Sequence, residues 1–351
     1  MQKKTVVVGL SGGVDSSVAA YLLQKQGYRV IGVFMRNWVE QDATATCSAE
    51  QDYADVAKVA DKLSIPYYSM DFSQEYKELV FSTFLEDLRK GRTPNPDVLC
   101  NQKIKFHVFW EKAGRKLGAD YLATGHYCQP NEEGALLKGV DKEKDQSYFL
   151  HTVSSKILRK TLFPIGHLPK AEVREIARKL ELPVHNKRDS TGICFIGKRD
   201  FRSFVGSFLG YQPGNFVDSK GNVLGRHVGA AFYTIGQRKG LGIGGSGAPW
   251  FVASKNLATN EVLLVQGENH PALFRAFLQA DELFWVQNPP PIPSSLHAKI
   301  RYRQKEAPCT ILEQQGTILS IQFAEPQRAV TPGQSVVFYE TNRCLGGGKI
   351  L

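Results

Sequence analysis

Thr5-Val6-Val7-Val8-Gly9-Leu10-Ser11-Gly12-Gly13-Val14-Asp15-Ser16-Ser17 decides the fold. Its opening apolar run has the continuous character of a strand buried on both faces. From Asp15 to Gln24, Val18, Leu22 and Leu23 recur on one helical face, which predicts a helix. Between the two, adjacent glycines permit backbone conformations closed to other residues and a close approach to a ligand. Backbone N–H groups and the helix N-terminus then make an anion cradle, to which Ser11, Ser16 and Ser17 add hydroxyls. The loop has no Lys for β/γ phosphates and is not GxGxxG, so it is neither a Walker loop nor a dinucleotide fingerprint. The ordinary alternative is a Gly-rich turn with Asp15 or Ser16 as N-cap.

Outward from this unit, short β-branched runs alternate with helical patterns. Val30–Phe34, Pro66–Met70 and Tyr121–Thr124 read as strands. Helices are expected from Ser48 to about Leu63, over 74–89 and 102–117, and over Lys170–Leu180. This alternation predicts a mostly parallel sheet with helices on both faces. After about residue 205 short strands separated by Gly, Asn and Pro take over, and from about 276 the pattern is a small β barrel or sandwich. The expected architecture is therefore an α/β parallel-sheet domain (1–204), a small mixed or β linker domain (205–275) and a C-terminal β-barrel domain (276–351).

The 351 residues are 42% hydrophobic and 22% charged, which excludes disorder as the main state. No apolar run is long enough for a membrane helix, and no signal or transit pattern opens the sequence. Six scattered cysteines with no CxxC pair fit neither a disulfide framework nor a zinc site, so a reducing, cytoplasmic setting is expected. The net charge is +10, and it is uneven: residues 1–90 carry ten basic and twelve acidic side chains, so the excess lies downstream, where a polyanion is expected.

Two cysteines stand in unusual contexts. Cys100 follows Asn95-Pro96-Asp97 at the expected start of a helix, among eight Lys/Arg between 89 and 116. A helix N-terminus and basic neighbours both favour thiolate. Cys194 sits in Gly192-Ile193-Cys194-Phe195-Ile196-Gly197. Either could equally be a buried, inert thiol. Met35 and Gly125 lie at the ends of expected strands, where open α/β sheets bind ligands, and His126 follows. Lys144-Asp145-Gln146-Ser147 reads as a polar, exposed loop. In Lys299-Ile300-Arg301-Tyr302-Arg303-Gln304-Lys305 four cations alternate, which on a strand places them on one face, suited to a phosphate backbone or to a solvated edge.

The hexapeptide SGGVDS resembles the signature of the PP-loop (adenine nucleotide alpha hydrolase-like) ATP pyrophosphatases. NPDVLCNxxIKF, GHY at 125–127, KDQSYFL at 144–150, GICFIG at 192–197 and GQRKG at 236–240 resemble, in order and over essentially the whole chain, the tRNA-specific 2-thiouridylase family. The resemblance implies ATP-dependent adenylylation of the C2 oxygen of the wobble uridine, then transfer of sulfur from a cysteine persulfide. It implies that Gly9, Leu10, Ser11, Gly12, Gly13, Val14, Asp15, Ser16, Met35 and Gly125 bind ATP, with Mg2+ accompanying its phosphates. It implies that Cys194 carries the persulfide, that Cys100 is the nucleophile releasing the sulfur into a Cys100–Cys194 disulfide, and that Asp97 transfers protons. Asn95, Pro96, Asp97, His126, Lys144, Asp145, Gln146, Arg301, Tyr302 and Gln334 would contact the anticodon stem-loop of tRNA. A cysteine desulfurase or sulfur-relay protein would supply the sulfur, and a monomer is expected.

Two other readings retain part of this pattern. An amide-forming ligase would use the ATP loop and no persulfide, so both cysteines would be dispensable. A non-catalytic RNA-binding protein would bind tRNA with a steep salt dependence and consume no ATP. The cysteines are too dispersed to hold an iron–sulfur cluster.

Overall fold

The computed structural model describes residues 3–38, 48–189 and 199–351. Strand β1 (Thr5–Leu10) leads into helix α1 (Val14–Lys25), followed by β2 (Arg29–Arg36), α2 (Ser48–Leu63) and β3 (Tyr67–Asp71). Next come α3 (Ser73–Tyr76), a π-helical turn and α4 (Ser82–Arg89), then α5 (Pro96–Leu99), which runs without a break into a π-helical stretch, Cys100–Val108. Strands β4 (Tyr121–Ala123), β5 (Cys128–Pro130) and β6 (Leu136–Lys138), helices α6 (Ser147–Leu150) and α7 (Ser155–Leu158), β7 (Thr161–Leu162) and α8 (Lys170–Lys179) complete this part.

Five of these strands form a parallel sheet in the order β3-β2-β1-β4-β7. The three valines of β1 are each 0% exposed, as the unbroken apolar run requires. Val7 faces the core containing Phe72, Phe84, Ile104 and Phe109, while Val6 and Val8 face Ala20, Leu23, Val56 and Ala60 of α1 and α2. Both faces of the strand are thus dry, which is the environment a continuous apolar strand needs. The order of strands reverses beside β1, so the crevice at its carboxyl end, next to β4, is where a ligand fits such a sheet. Helix α8 packs on α1 through Val173 and Ala177 against Val14, Val18 and Ala19.

After α9 (Phe201–Leu209), β8 (Gly214–Val217), β9 (Val223–His227), β10 (Trp250–Asn256) and β11 (Glu261–Gln266) form a mixed sheet in the order β10-β11-β8-β9. The last six strands are β12 (Phe274–Trp285), β13 (Ser294–Lys299), β14 (Ala307–Gln315), β15 (Ile318–Arg328), β16 (Ser335–Glu340) and β17 (Arg343–Ile350). They run antiparallel in the order β12-β15-β14-β13-β16-β17, and β12 also pairs with β17, which closes a barrel around Ile311, Ile321, Val336 and Phe338. The β5–β6 hairpin, from the first half of the chain, extends this sheet by pairing Leu136 with Cys344 and Leu137 with Arg343. No helix among the described residues is long and apolar enough to cross a membrane.

Candidate functional site

The loop after β1 is tied down by its own hydroxyls. The Ser11 N–H donates to Ser16 Oγ (3.2 Å), and the carbonyl of Gly13 accepts from Ser16 Oγ (3.3 Å) and Ser17 Oγ (2.8 Å). Gly13 is the N-cap of α1 in extended conformation, and no side chain caps the first turn. A helix start of this kind presents its N–H groups to an anion. Gly12 has φ +71°, and a Cβ there would lie 2.5 Å from the Asp52 carbonyl oxygen of α2. Only glycine meets both the torsion and the approach. Gly9 packs against Phe109, and Leu10 and Val14 are buried beneath the loop. Met35 is half-buried at the end of β2, beside Met70. Two residues past β4, a Cβ at Gly125 would lie 2.7 Å from Ser16 N, so this glycine lets the chain leaving the strand press onto the start of α1.

The cations that the loop's own sequence lacks arrive from far along the chain. Lys187 Nζ donates to the Gly12 carbonyl (2.9 Å) and pairs with Asp52 and Asp55 (2.7 Å each). Lys170, 8% exposed at the start of α8, donates to both carboxylate oxygens of Asp15 (2.6 and 2.8 Å) and pairs with Asp189 (2.8 Å). Asp189 also pairs with Lys144 (2.8 Å) and Arg174 (2.7 Å). Burial alone would raise the pKa of Asp189, but Lys144 and Lys170 pull it well below the usual carboxylate range. Burial likewise pushes the Asp55 carboxyl up, and Lys187 outweighs it and holds the carboxyl below its usual value. Sequence reasoning missed Lys170, Lys187 and Asp189. Their only local mark is that Lys170 opens a helix.

His126 packs its ring against Phe106 (5.8 Å) and Phe163 (6.0 Å), with Nδ1 hydrogen-bonded to the Thr124 hydroxyl at 2.7 Å. Burial, helped by Lys105, holds its pKa well below the ordinary histidine value, so the imidazole is neutral. Tyr127, 2% exposed, donates its hydroxyl to Asp15 Oδ1 (2.8 Å). Its peptide group is paired twice with Gln146: the Tyr127 N–H donates to Gln146 Oε1 (3.0 Å), and its carbonyl accepts the Gln146 N–H (2.9 Å).

The helix bearing Cys100 starts earlier than the sequence pattern placed it. Asn95 is the N-cap and Pro96 the first helical residue, a position proline favours because it has no N–H to lose. Cys100 therefore lies in the second turn, 3% exposed within the core, where the helix dipole acts less than at the terminus. Asp97, three residues earlier, shares its face. Asp97 is partly buried, and burial raises its pKa against the opposing pull of Lys105. Further along the same helical run Phe106 meets His126, and Phe109 meets Gly9. The helix thus crosses the sheet so that its first turns extend beyond the strand ends that hold the loop. Cys194 and Cys47 lie outside the described residues.

Two expectations about the setting of residues read as RNA contacts are corrected. Lys144–Ser147 is not an exposed polar loop: Asp145 and Ser147 are 5% and 0% exposed. Asp145 accepts from the N–H groups of Gly139 and Ser147 (3.1 Å each), and the Ser147 hydroxyl donates to it at 3.0 Å. The alternating cations do not share a strand face. β13 ends at Lys299, and a turn follows in which Gln304 N–H donates to the Arg301 carbonyl. Lys299 points inward to Asp145 (3.4 Å) and Glu306 (3.7 Å). A buried carboxylate needs a cation, and that need outweighs the alternation. Arg301 donates to the carbonyls of Ile235 (2.7 Å) and Ala329 (2.9 Å) and to Thr331 Oγ1 (2.8 Å), leaving Arg303 and Lys305 exposed. Tyr302 packs on Phe149 at 4.4 Å. Gln334 reaches from the barrel to the Thr93 carbonyl (2.8 Å), and Thr93 N–H donates to the Pro332 carbonyl (2.8 Å). Beside this contact, Thr93, Pro94, Phe232, Gln237 and Lys239 line a half-open cavity of about 530 Å³.

Cys128, Cys309 and Cys344 are buried. Burial pushes the Cys309 thiol up to about 12 and raises the other two further. All three are inert packing groups at neutral pH. Among the described residues no group of three or more His, Cys, Asp or Glu could hold a metal ion. The one acid of the loop, Asp15, is already engaged by Lys170 and Tyr127.

Three family models match the chain in succession. They are described as a tRNA methyl transferase HUP domain (residues 4–198), a tRNA methyl transferase PRC-barrel domain (202–266) and an aminomethyltransferase beta-barrel domain (275–350). A tRNA-specific 2-thiouridylase MnmA of Protochlamydia amoebophila is 54% identical over 352 residues, which cover 99% of this chain and 93% of the relative. The protein of the same name from Nitrosomonas eutropha is 54% identical over 358 residues, covering 100% and 99%. That from Shouchella clausii is 52% identical over 349 residues, covering 98% and 96%.

Proposed function

The chain belongs to the tRNA-specific 2-thiouridylase family, and from this premise we propose that it thiolates uridine in tRNA at the expense of ATP. The observation that carries the proposal is that an uncapped, glycine-hinged anion loop follows β1, and the helical run that opens with Asp97 and Cys100 packs Phe106 on His126 and Phe109 on Gly9 at the ends of the strands beside that loop. A methyl-transfer label on two of the matching models competes with this reading. The hydroxyl-lined loop with Lys170 and Lys187 beside it suits a polyphosphate, which methyl transfer does not need.

ATP seats its phosphates on the N–H groups of residues 11–16, with Met35 and Gly125 bordering the nucleotide and magnesium arriving with the triphosphate. The uracil C2 oxygen attacks the α-phosphorus and pyrophosphate leaves. The oxygen, a poor leaving group, becomes part of AMP, a good one. The terminal sulfur of a persulfide on Cys194 then attacks C2, and AMP departs. The Cys100 thiolate attacks the Cys194 sulfur, the S–S bond to the uracil sulfur breaks, the C2 sulfur leaves as the thiocarbonyl of 2-thiouridine, and the resulting Cys100–Cys194 disulfide is reduced by an external thiol. Asp97, its pKa raised by burial against the pull of Lys105, is the acid that transfers protons in this step. Asn95, Pro96, His126, Lys144, Asp145, Gln146, Arg301, Tyr302 and Gln334 form the side on which the anticodon stem-loop is held. Several of them act by shaping that surface rather than touching it. The site is completed in a reducing, cytoplasmic compartment by a desulfurase or relay protein that loads Cys194, and the chain works as a monomer.

The test is incubation with ATP, a persulfide donor and unmodified tRNA, followed by nucleoside mass analysis. Wild-type protein yields 2-thiouridine with AMP and pyrophosphate in equal amounts, and Cys100→Ser and Cys194→Ser yield none. Full thiolation by Cys194→Ser would remove the persulfide role.

A further inference from the structure

We propose that Tyr127 is a positioning residue that couples the nucleotide loop to the RNA side of the site, so that ATP and tRNA tighten each other's binding. The proposal rests on the function proposed above. Tyr127 touches both sides at once. Its hydroxyl ends on Asp15, the second residue of α1, and its peptide group is locked by two hydrogen bonds to Gln146. The residue is 2% exposed, and the ammonium of Lys170 lies 5.6 Å from the centre of its ring. Its pKa is driven far up by burial and by Asp15, so the hydroxyl remains a donor across the working pH range.

A second connection runs alongside. Lys170 bridges Asp15 to Asp189, and Asp189 holds Lys144. The Lys170 N–H also donates to Asp141 (2.9 Å), at the start of the same segment. The 141–147 segment is therefore fastened to the nucleotide loop at Asp15 by a short hydrogen-bonded route and an ionic one. The hydrogen-bonded route depends on one phenol oxygen. When either ligand orders its end of such a chain, the other ligand meets a site already ordered and loses less entropy on binding. The coupling is reciprocal, because it is a property of the doubly bound state.

The test measures the affinity of α,β-methylene-ATP, in which the scissile bond cannot break, with and without saturating unmodified anticodon stem-loop RNA. Wild-type protein is expected to bind the analogue about fivefold or more tighter with RNA present, and to bind RNA tighter by the same factor with the analogue present. In Tyr127→Phe the factor falls below about twofold, while RNA affinity without nucleotide is unchanged. Gln146→Ala, cut at the other end of the chain and assayed with RNA raised until it saturates that variant, loses the RNA-dependent gain in nucleotide affinity too, and serves if Tyr127→Phe does not fold. A Tyr127→Phe protein that keeps the full factor overturns the inference. So does one that binds the analogue more weakly by the same ratio with and without RNA, which is the mark of a merely structural role. Wild-type protein that binds both ligands with no mutual effect overturns the inference and leaves thiolation standing. Failure of wild-type protein to bind either ligand removes both.

Discussion

The ammonium of Lys187 donates a hydrogen bond to the carbonyl of Gly12, 2.9 Å away and 175 positions earlier in the chain. It also holds Asp52 and Asp55, so one side chain clamps the glycine hinge of the loop against α2. Lys187→Met removes the clamp and leaves two carboxylates facing a phosphate site. Charge-assisted hydrogen bonds of this kind are worth about 1.5–3 kcal/mol, so ATP-analogue affinity is expected to fall about tenfold or more, read by titration calorimetry.

Gly12→Ala places a methyl group 2.5 Å from the Asp52 carbonyl oxygen at a φ of +71°. The backbone must shift, and with it the N–H groups of the cradle. The expected result is loss of ATP-dependent pyrophosphate release, while circular dichroism shows the fold retained. Gly118 has φ +62° with open space around it. Gly118→Ala costs stability of about 1 kcal/mol and leaves activity alone.

Arg301 and Arg303 are two positions apart, and their roles are distinct. Arg301 is spent on three internal acceptors, so Arg301→Ala is expected to lower stability by about 2 kcal/mol, read by denaturant melts. Arg303 is exposed. Arg303→Ala should leave stability unchanged and reduce the slope of log K against log salt for tRNA binding by about 0.7–0.9.

Stability should fall as the pH drops through the weakly acid range. His151 is 2% exposed, with Nδ1 against the Tyr148 carbonyl, and burial lowers its pKa to about 4. Below about pH 6.5 the unfolded chain protonates this histidine and the folded chain does not, so the folded state loses ground at about 1.4 kcal/mol per pH unit until about pH 4. His126 acts in the same direction. Asp189 acts later: its depressed pKa contributes stability that is present above about pH 4 and is lost as the pH falls further. His151→Gln is expected to flatten the upper part of the profile, measured by urea unfolding between pH 7 and pH 4.

The strand–loop–helix unit was legible because its signals are local. Val6, Val7 and Val8 announce a doubly covered strand, and Gly12 and Gly13 announce the hinge. Lys170, Lys187 and Tyr127 were not legible as a group, because they come together with Asp15 and Gly12 only after a sheet and a helix lie between them. The start of the Cys100 helix was readable in principle, since Asn95-Pro96 is an N-cap followed by a proline that suits the first turn. The cations from Lys299 to Lys305 were misread because alternation was taken as a strand. The deciding influence was a buried carboxylate, Asp145, 154 positions away from Lys299. Asp97 was read as part of the loop before the helix and Cys100 as the helix start, whereas both lie within the helix that opens at Pro96.

The contact of Gln334 and Pro332 with Thr93, and of β17 with the hairpin at 128–138, has a bearing on how the protein is made. A ribosome delivers the nucleotide loop well before the strands that brace the 93–97 loop. Until the barrel strands follow, Leu136 and Leu137 are paired on one side only, with the other strand of their own hairpin, and Thr93 has no partner from the barrel. The nascent chain can therefore form its nucleotide-binding half while the loop leading to Cys100 is still unbraced.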